Sequence, residues 1–217
     1  MKGILIFPLA FLYTITAQAQ VSFGIFAGPH ESSAIYSVKN TKQSTDYKFG
    51  FHIGAEFKIP FENKLSFSPA VSYRELGYKV VFNTPSYPPD LLAINNNTRF
   101  HEMDLDFLLQ YDFGKKPGKF FLKAGPSLGL IVAGQEHFDL ATGEHVDRPM
   151  KFSVLNSYGR YGAAVVVQLG FETTHGLVIQ ADFVQDLISM NNEEEGPSIR
   201  NRLLGITIGK YLKSKKK

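Results

Sequence analysis

Glu102, Asp104 and Asp106 place three carboxyl groups two residues apart, a spacing that on an extended strand aims all three the same way. Arg74 and Glu75 stand in the segment before them, and Lys119 and Lys123 in the segment after. If the three segments are neighbouring strands, both signs of charge meet on one surface. Two chemistries fit such a set. A file of ionisable groups through an apolar medium is a path for protons or cations, whereas groups that pair off in a narrow interior form a structural ion network, since buried charge is tolerated only with a partner. Which one applies depends on the width of the interior, and hence on the elements that enclose it.

The other constellations are weaker. The histidines are His30, His52, His101, His137, His145 and His175, and no pair has the spacing of a helical zinc site. His137 and His145 share one polar stretch with Glu136, Asp139, Glu144 and Asp147, which reads as a solvated loop, with weak divalent binding as the sharper alternative. There is no Gly-x-Ser-x-Gly elbow and no glycine-rich phosphate loop. Ser153, Ser157 and His145 could be drawn into the rim site of a lipid-modifying enzyme, but their spacing does not require it. Cysteine is absent, so disulfides and thiolate metal sites are excluded. No catalytic residue, cofactor or metal is assigned. A net charge of +3, much of it in Lys213 to Lys217, is too small and too local for a nucleic-acid surface.

The positioning elements are strands. From Tyr47 to Ile59 every odd residue is apolar or aromatic and every even one is polar or glycine, which is the period of a strand with one greasy face. At about 3.3 Å per residue and a tilt near 40° it climbs roughly 33 Å, enough for the ~25 Å apolar band of an outer membrane. Similar alternation marks seven more segments: Val21–His30, Leu65–Phe82, Met103–Phe113, Phe120–Val132, Tyr161–Phe171, Leu177–Phe183 and Leu204–Tyr211. Past Arg74 and Glu75 the apolar residues move to even positions, which predicts a β-bulge. Pro126 predicts a second bulge or break. Between strands the chain alternates long polar stretches (31–46, 83–97, 134–151, 191–198) with short turns. Eight strands and this alternation predict an all-β, antiparallel, up-and-down transmembrane barrel.

The polar face repeatedly uses glycine, at Gly24, Gly50, Gly54, Gly125, Gly129, Gly162, Gly170, Gly205 and Gly209. Glycine has little use on a wet surface but makes room in a slim barrel, so the polar set is expected inside and the apolar set outside. Arg74, Glu75, Glu102, Asp104, Asp106, Lys119 and Lys123 then form a lumen ion network that is structural, because eight strands leave no aqueous channel. Tyr47, Phe57, Phe61, Tyr111, Phe113, Phe120, Phe171 and Tyr211 are expected as an aromatic girdle at headgroup depth. The competing arrangement is a soluble lipocalin-like binding barrel, with Phe49, Phe51, Leu105 and Phe107 inside.

Residues 1–19 have the charged start, apolar middle and Ala17-Gln18-Ala19 exit of a signal peptide. Residues 20–212 are then the barrel and 213–217 a basic periplasmic tail. No later stretch reaches the ~20 apolar residues of a membrane helix.

The run from Phe100 to Val132, with Ala124-Gly125-Pro126-Ser127-Leu128-Gly129 near its end, resembles the outer-membrane β-barrel domain family of Bacteroidetes, the porin-family or PorT-like proteins. Asn201 to Tyr211 and the glycine-punctuated first strand are also similar. Family members commonly carry proline where this chain has Asp106, and end their last strand in a terminal aromatic where Tyr211 is followed by Leu212 and the tail. The resemblance implies an outer-membrane protein surrounded by outer-membrane lipid, and the alternation of short turns with long loops puts both termini in the periplasm. It further implies a non-enzymatic role through extracellular loops or as an accessory of envelope or secretion-system proteins. A lipid A deacylase or acyltransferase is the alternative.

Overall fold

The computed structural model describes residues 21–114, 118–152, 158–193 and 196–212. The expected signal peptide and tail lie outside them. Ten strands are formed: β1 (Ser22–Val38), β2 (Thr41–Lys42), β3 (Ser44–Glu62), β4 (Leu65–Val81), β5 (Asn95–Phe113), β6 (Lys119–Asp139), β7 (His145–Pro149), β8 (Tyr161–Glu172), β9 (Leu177–Asp186) and β10 (Ser198–Leu212). Eight of them are staves, in the ring order β1-β3-β4-β5-β6-β8-β9-β10, and β10 pairs back onto β1 to close it. Every pairing between staves is antiparallel. Closure leaves the staves without a free edge, the condition for a sheet to stand in lipid. The turns 63–64 and 173–176, the facing ends of β5 and β6 at Phe113 and Lys119, and both ends of the described chain lie at one end, here the turn end; the longer connections lie at the other, the loop end.

Several expected loops are strand. β1 continues through Ala34, Tyr36 and Val38 and reverses at Lys39-Asn40, with Val38 opposite Thr41. Both turn residues have positive φ, 46° and 65°, the backbone of a two-residue type I′ turn whose twist matches the flanking strands. The stretch 134–151 is likewise a hairpin: β6 runs on to Asp139 and β7 returns beside it from His145. The segments 82–94 and 187–197 do connect staves at length.

Both expected bulges are misplaced. β4 keeps one register with β5 from Leu65 opposite Tyr111 to Val81 opposite Asn95, so no phase changes there. The slip lies across from it, in β3 between Tyr47 and His52. At Pro126 the register with β8 is continuous, and the shift in β6 falls further on, where His101 pairs with Ala133 but Glu102 with Ile131.

What changes along β4 is the filling of the barrel. Around the outside, Ile25, Ile53, Val71, Leu105, Leu128, Val165, Ile179 and Ile206 stand exposed as a continuous apolar belt, which ends toward the loop end at Glu31, Lys48, Glu75 and Arg99. Inside the belt the buried residues are largely polar or charged. Beyond it the interior is an apolar cluster that includes Tyr36, Leu76, Tyr78, Phe100, Ile131, Tyr158 and Ile199. The barrel is inside-out where its wall faces lipid and ordinary where its wall faces water, as the hydrophobic effect requires of each medium. The even positions of β4 point inward throughout: Ser72 and Arg74 into the ionic part, Leu76, Tyr78 and Val80 into the apolar cap.

Candidate functional site

The interior network is built in tiers from the turn end. At the floor, Lys58 of β3 reaches Asp112 at 3.3 Å and Glu172 at 2.7 Å, and Lys119 also pairs with Asp112. Tyr211 lies beneath, its ring 5.6 Å from the Lys58 ammonium. One tier up, Lys123 is fully buried and meets Glu56 at 2.6 Å. Its ammonium lies 5.1 Å from the centre of the Phe121 ring, a second attraction for a desolvated cation. Next, Arg74 bridges Asp104 at 3.3 Å and Asp106 at 3.2 Å. Alternation supplies all these directions, since each group sits on the inward-facing parity of its strand.

Beside Arg74 runs a second polar line. His30 contacts the Glu75 carbonyl through Nε2 at 2.9 Å and His52 through Nδ1 at 3.1 Å; His52 contacts Thr207 at 2.6 Å, and Thr207 contacts Asp182 at 2.5 Å. The two imidazoles are nearly coplanar, at 16° with centroids 5.4 Å apart. That separation is the nitrogen distance plus the two ring radii, so the rings meet edge to edge and share a hydrogen bond. Four contacts in line need four hydrogens. His30, His52 and Thr207 supply three when the imidazoles are neutral, so the fully bonded line holds one proton more, on Asp182 or on the imidazole pair.

The glycines of the inner face accommodate their neighbours. A Cβ on Gly54 would lie 2.5 Å from the Phe26 ring, one on Gly170 2.4 Å from Phe121, and one on Gly24 2.9 Å from Tyr211. In each case the ring belongs to the adjacent strand and stands directly opposite in register, not on the facing wall. A Cβ on Gly129 would lie 2.1 Å from the Glu102 carboxylate.

Of the seven residues expected in the network, Arg74, Asp104 and Asp106 come together, while Lys119 and Lys123 take partners elsewhere in the lumen. Glu102 points inward over Gly129 and enters no ion pair among the described residues. Glu75 is a correction: unbroken parity in β4 turns it to the outer wall, where it pairs with Arg99. Sequence reasoning left out Glu56, Lys58, Asp112, Glu172, Asp182, Thr207, His30 and His52. The signal was present for all of them, because His52, Glu56 and Lys58 occupy the polar parity of the Tyr47–Ile59 repeat, His30, Asp112, Asp182 and Thr207 that of their own segments, and Glu172 continues that of Tyr161–Phe171.

Phe57, Phe61, Tyr111, Phe113 and Phe120 are exposed on the outer face toward the turn end, and Phe171 packs on Phe120 at 5.0 Å. Tyr47 is outside near the loop end. Tyr211 is the exception: the odd residues of β10 face inward, and it is buried in the floor.

At the loop end, a groove of about 560 Å³ lies against the β6–β7 hairpin, lined by Asp46, Lys79, Asn95, His137, His145 and Asp147 among others. His137 pairs with Asp147 at 3.1 Å, and His145 with Asp139. Hydrogen bonds from Asn95 and then His145 hold Asp139 below the usual carboxylate range. Among the described residues no three side chains could share a metal ion. Behind the groove, Tyr158 donates to Glu136 at 2.8 Å and Arg148 donates to the same carboxylate at 2.7 Å. Burial pushes the Tyr158 phenol up. His145 is largely solvent-exposed, and Ser153 and Ser157 lie outside the described residues.

Phe49, Phe51, Leu105 and Phe107 are on the outside, opposite to the soluble binding barrel. Solved structures similar to this chain include Neisserial surface protein A, at 17% identity with 88% of this chain and 97% of that chain covered and a TM-score of 0.47. Ail, the attachment invasion locus protein of Yersinia pestis, solved with a heparin analogue, is 12% identical, with 89% and 99% covered and a TM-score of 0.46. OprG of Pseudomonas aeruginosa is 10% identical, with 90% and 98% covered and a TM-score of 0.43. Likeness at that level bears on neither ligand nor role. A search of curated proteins finds no match. The sequence profile of the outer membrane protein beta-barrel domain matches residues 16–192, and with the closed ring, apolar belt and ionic interior already described, the chain belongs to that outer-membrane barrel family.

Proposed function

We propose that this barrel is a non-enzymatic outer-membrane protein that works through its loop end, either by binding outside the cell or as a PorT-like accessory of an envelope or secretion machinery. The loop end faces out and both termini are periplasmic, since outer-membrane barrels carry their longer connections outside. The observation that carries the reading is the two-part filling of the interior: tiers of paired charge inside the belt and an apolar cap beyond it. A filled barrel conducts nothing of substrate size, so the surface left for recognition is the projecting part of the barrel, with its hairpins and grooves. Resemblance to the Bacteroidetes family supports the accessory role. Capture of the intact protein from native envelopes, followed by identification of what comes with it, tests this. A partner lost when the β6–β7 hairpin is shortened agrees with the reading. Altered lipid A acylation in a deletion strain, restored by the wild-type gene, overturns it in favour of a lipid-modifying enzyme.

A further inference from the structure

The outer wall at the loop-end edge of the belt has a built hollow. Where the β3–β4 register slips between Tyr47 and His52, the slack opens a depression of about 480 Å³, lined by Lys48, Lys79, Arg99, Glu75 and the rings of Phe49 and Phe51 among others. Three cations thus meet one carboxylate. Lys48 lies across Gly77, where a Cβ would come within 3.1 Å of its Cδ. Its Nζ donates to Asn97 Oδ1 at 2.6 Å and to the Thr98 carbonyl at 2.8 Å, which holds the ammonium in place with one of its three N–H groups left over. Lys48 and Lys79 enter no ion pair among the described residues, and Lys48 is within electrostatic reach of both Lys79 and Arg99. Arg202 adds a fourth cation, 5.1 Å from the Tyr47 ring centre at the rim. Two more carboxylates stand on the same wall, both exposed: Glu31 opposite Phe49, and Asp46 directly across from Lys79.

We infer that this hollow holds the phosphate-bearing headgroup of a membrane lipid in the leaflet at the loop end, with the acyl chains along Phe49 and Phe51. The depth fits, because the exposed rings of Phe49 and Phe51 belong to the apolar belt and the cations stand just above them, at the level of headgroups. The charge fits too. Repelling cations on a partly desolvated wall are stabilised by a doubly charged oxyanion that accepts several charge-assisted hydrogen bonds, whereas a zwitterionic headgroup brings a cation of its own. The inference requires only that the belt sit in a bilayer, whichever compartment the loop end faces, so it stands or falls separately from the proposed role.

The full chain, folded into nanodiscs of phosphatidylcholine doped with phosphatidic acid, tests it by native mass spectrometry of retained lipid, with folding checked by heat-shifted gel mobility. The expected result is one phosphatidic acid held in preference to phosphatidylcholine. Retention should fall about 30-fold in Lys48→Gln/Lys79→Gln and persist in Lys48→Arg/Lys79→Arg. Wild-type retention without preference overturns the proposal whether or not the glutamine variant folds, and so does equal retention by a folded glutamine variant. Displacement by millimolar inorganic phosphate also overturns it, since that marks a site for free anion.

Discussion

Lys123 and Glu56 are a buried pair, and the energetics of such pairs are asymmetric. Lys123→Met alone strands the carboxylate and should cost about 3–5 kcal/mol, whereas replacing both partners with well-packed apolar residues should be nearly neutral or better. Urea unfolding in vesicles reads both. Gly54→Ala drives a methyl into the Phe26 ring and the Val71 carbonyl and should cost about 1–3 kcal/mol by overpacking, seen as a lower temperature for the heat-induced gel shift. Burial raises the Tyr158 phenol above its ordinary value. The stability it contributes is therefore complete below the unfolded pKa near 10 and is lost as pH climbs beyond it. Absorbance of phenolate should show Tyr158 titrating late and together with opening of the loop-end cap. At this scale the sequence was legible only where a parity was clean. The triplet Glu102, Asp104 and Asp106 announces itself by spacing, but which cation each carboxylate meets depends on register and shear, which no local pattern carries, so the partners Asp112 for Lys119 and Glu56 for Lys123 emerge only from the structure.

Strands were read well where they cross the belt and poorly beyond it. The eight staves follow from alternation because lipid outside and charge inside give opposite side chains on the two faces. Beyond the belt both the wall and the core revert to the soluble pattern, so Leu76, Tyr78 and Val80 resembled a change of phase and the 31–46 and 134–151 stretches resembled loops. Lys39 and Asn40 show the same limit, since a type I′ turn is usually signalled by Asn-Gly and Lys39 disguises it. Its positive φ of 46° is unfavourable for a long side chain. Lys39→Asn should therefore slow hydrogen exchange of the Gln43 amide, which donates to the Tyr36 carbonyl at 2.8 Å, by several-fold, without moving the exchange of β9 amides.

For the whole molecule, the central claim is a reversal of polarity along the barrel axis, apolar out and charged in within the belt, then the opposite beyond it. Mid-belt Leu105→Arg should cost about 2–4 kcal/mol in a bilayer, the penalty of a cation facing lipid. Gln135→Arg, on the exposed face of the projecting hairpin, should cost little. The chain has no cysteine, so single cysteines can be placed cleanly and labelled with a fluorophore in the folded, vesicle-bound protein. The decisive measurement is quenching by brominated lipid against quenching by aqueous iodide at Ile53, Leu105, Leu128 and Ile206, with Gln135 and Val81 as sites beyond the belt. Lipid quenching at the first four and iodide quenching at the last two is the predicted result. Iodide reaching Leu105 and Ile206 while bromolipid does not would contradict the account.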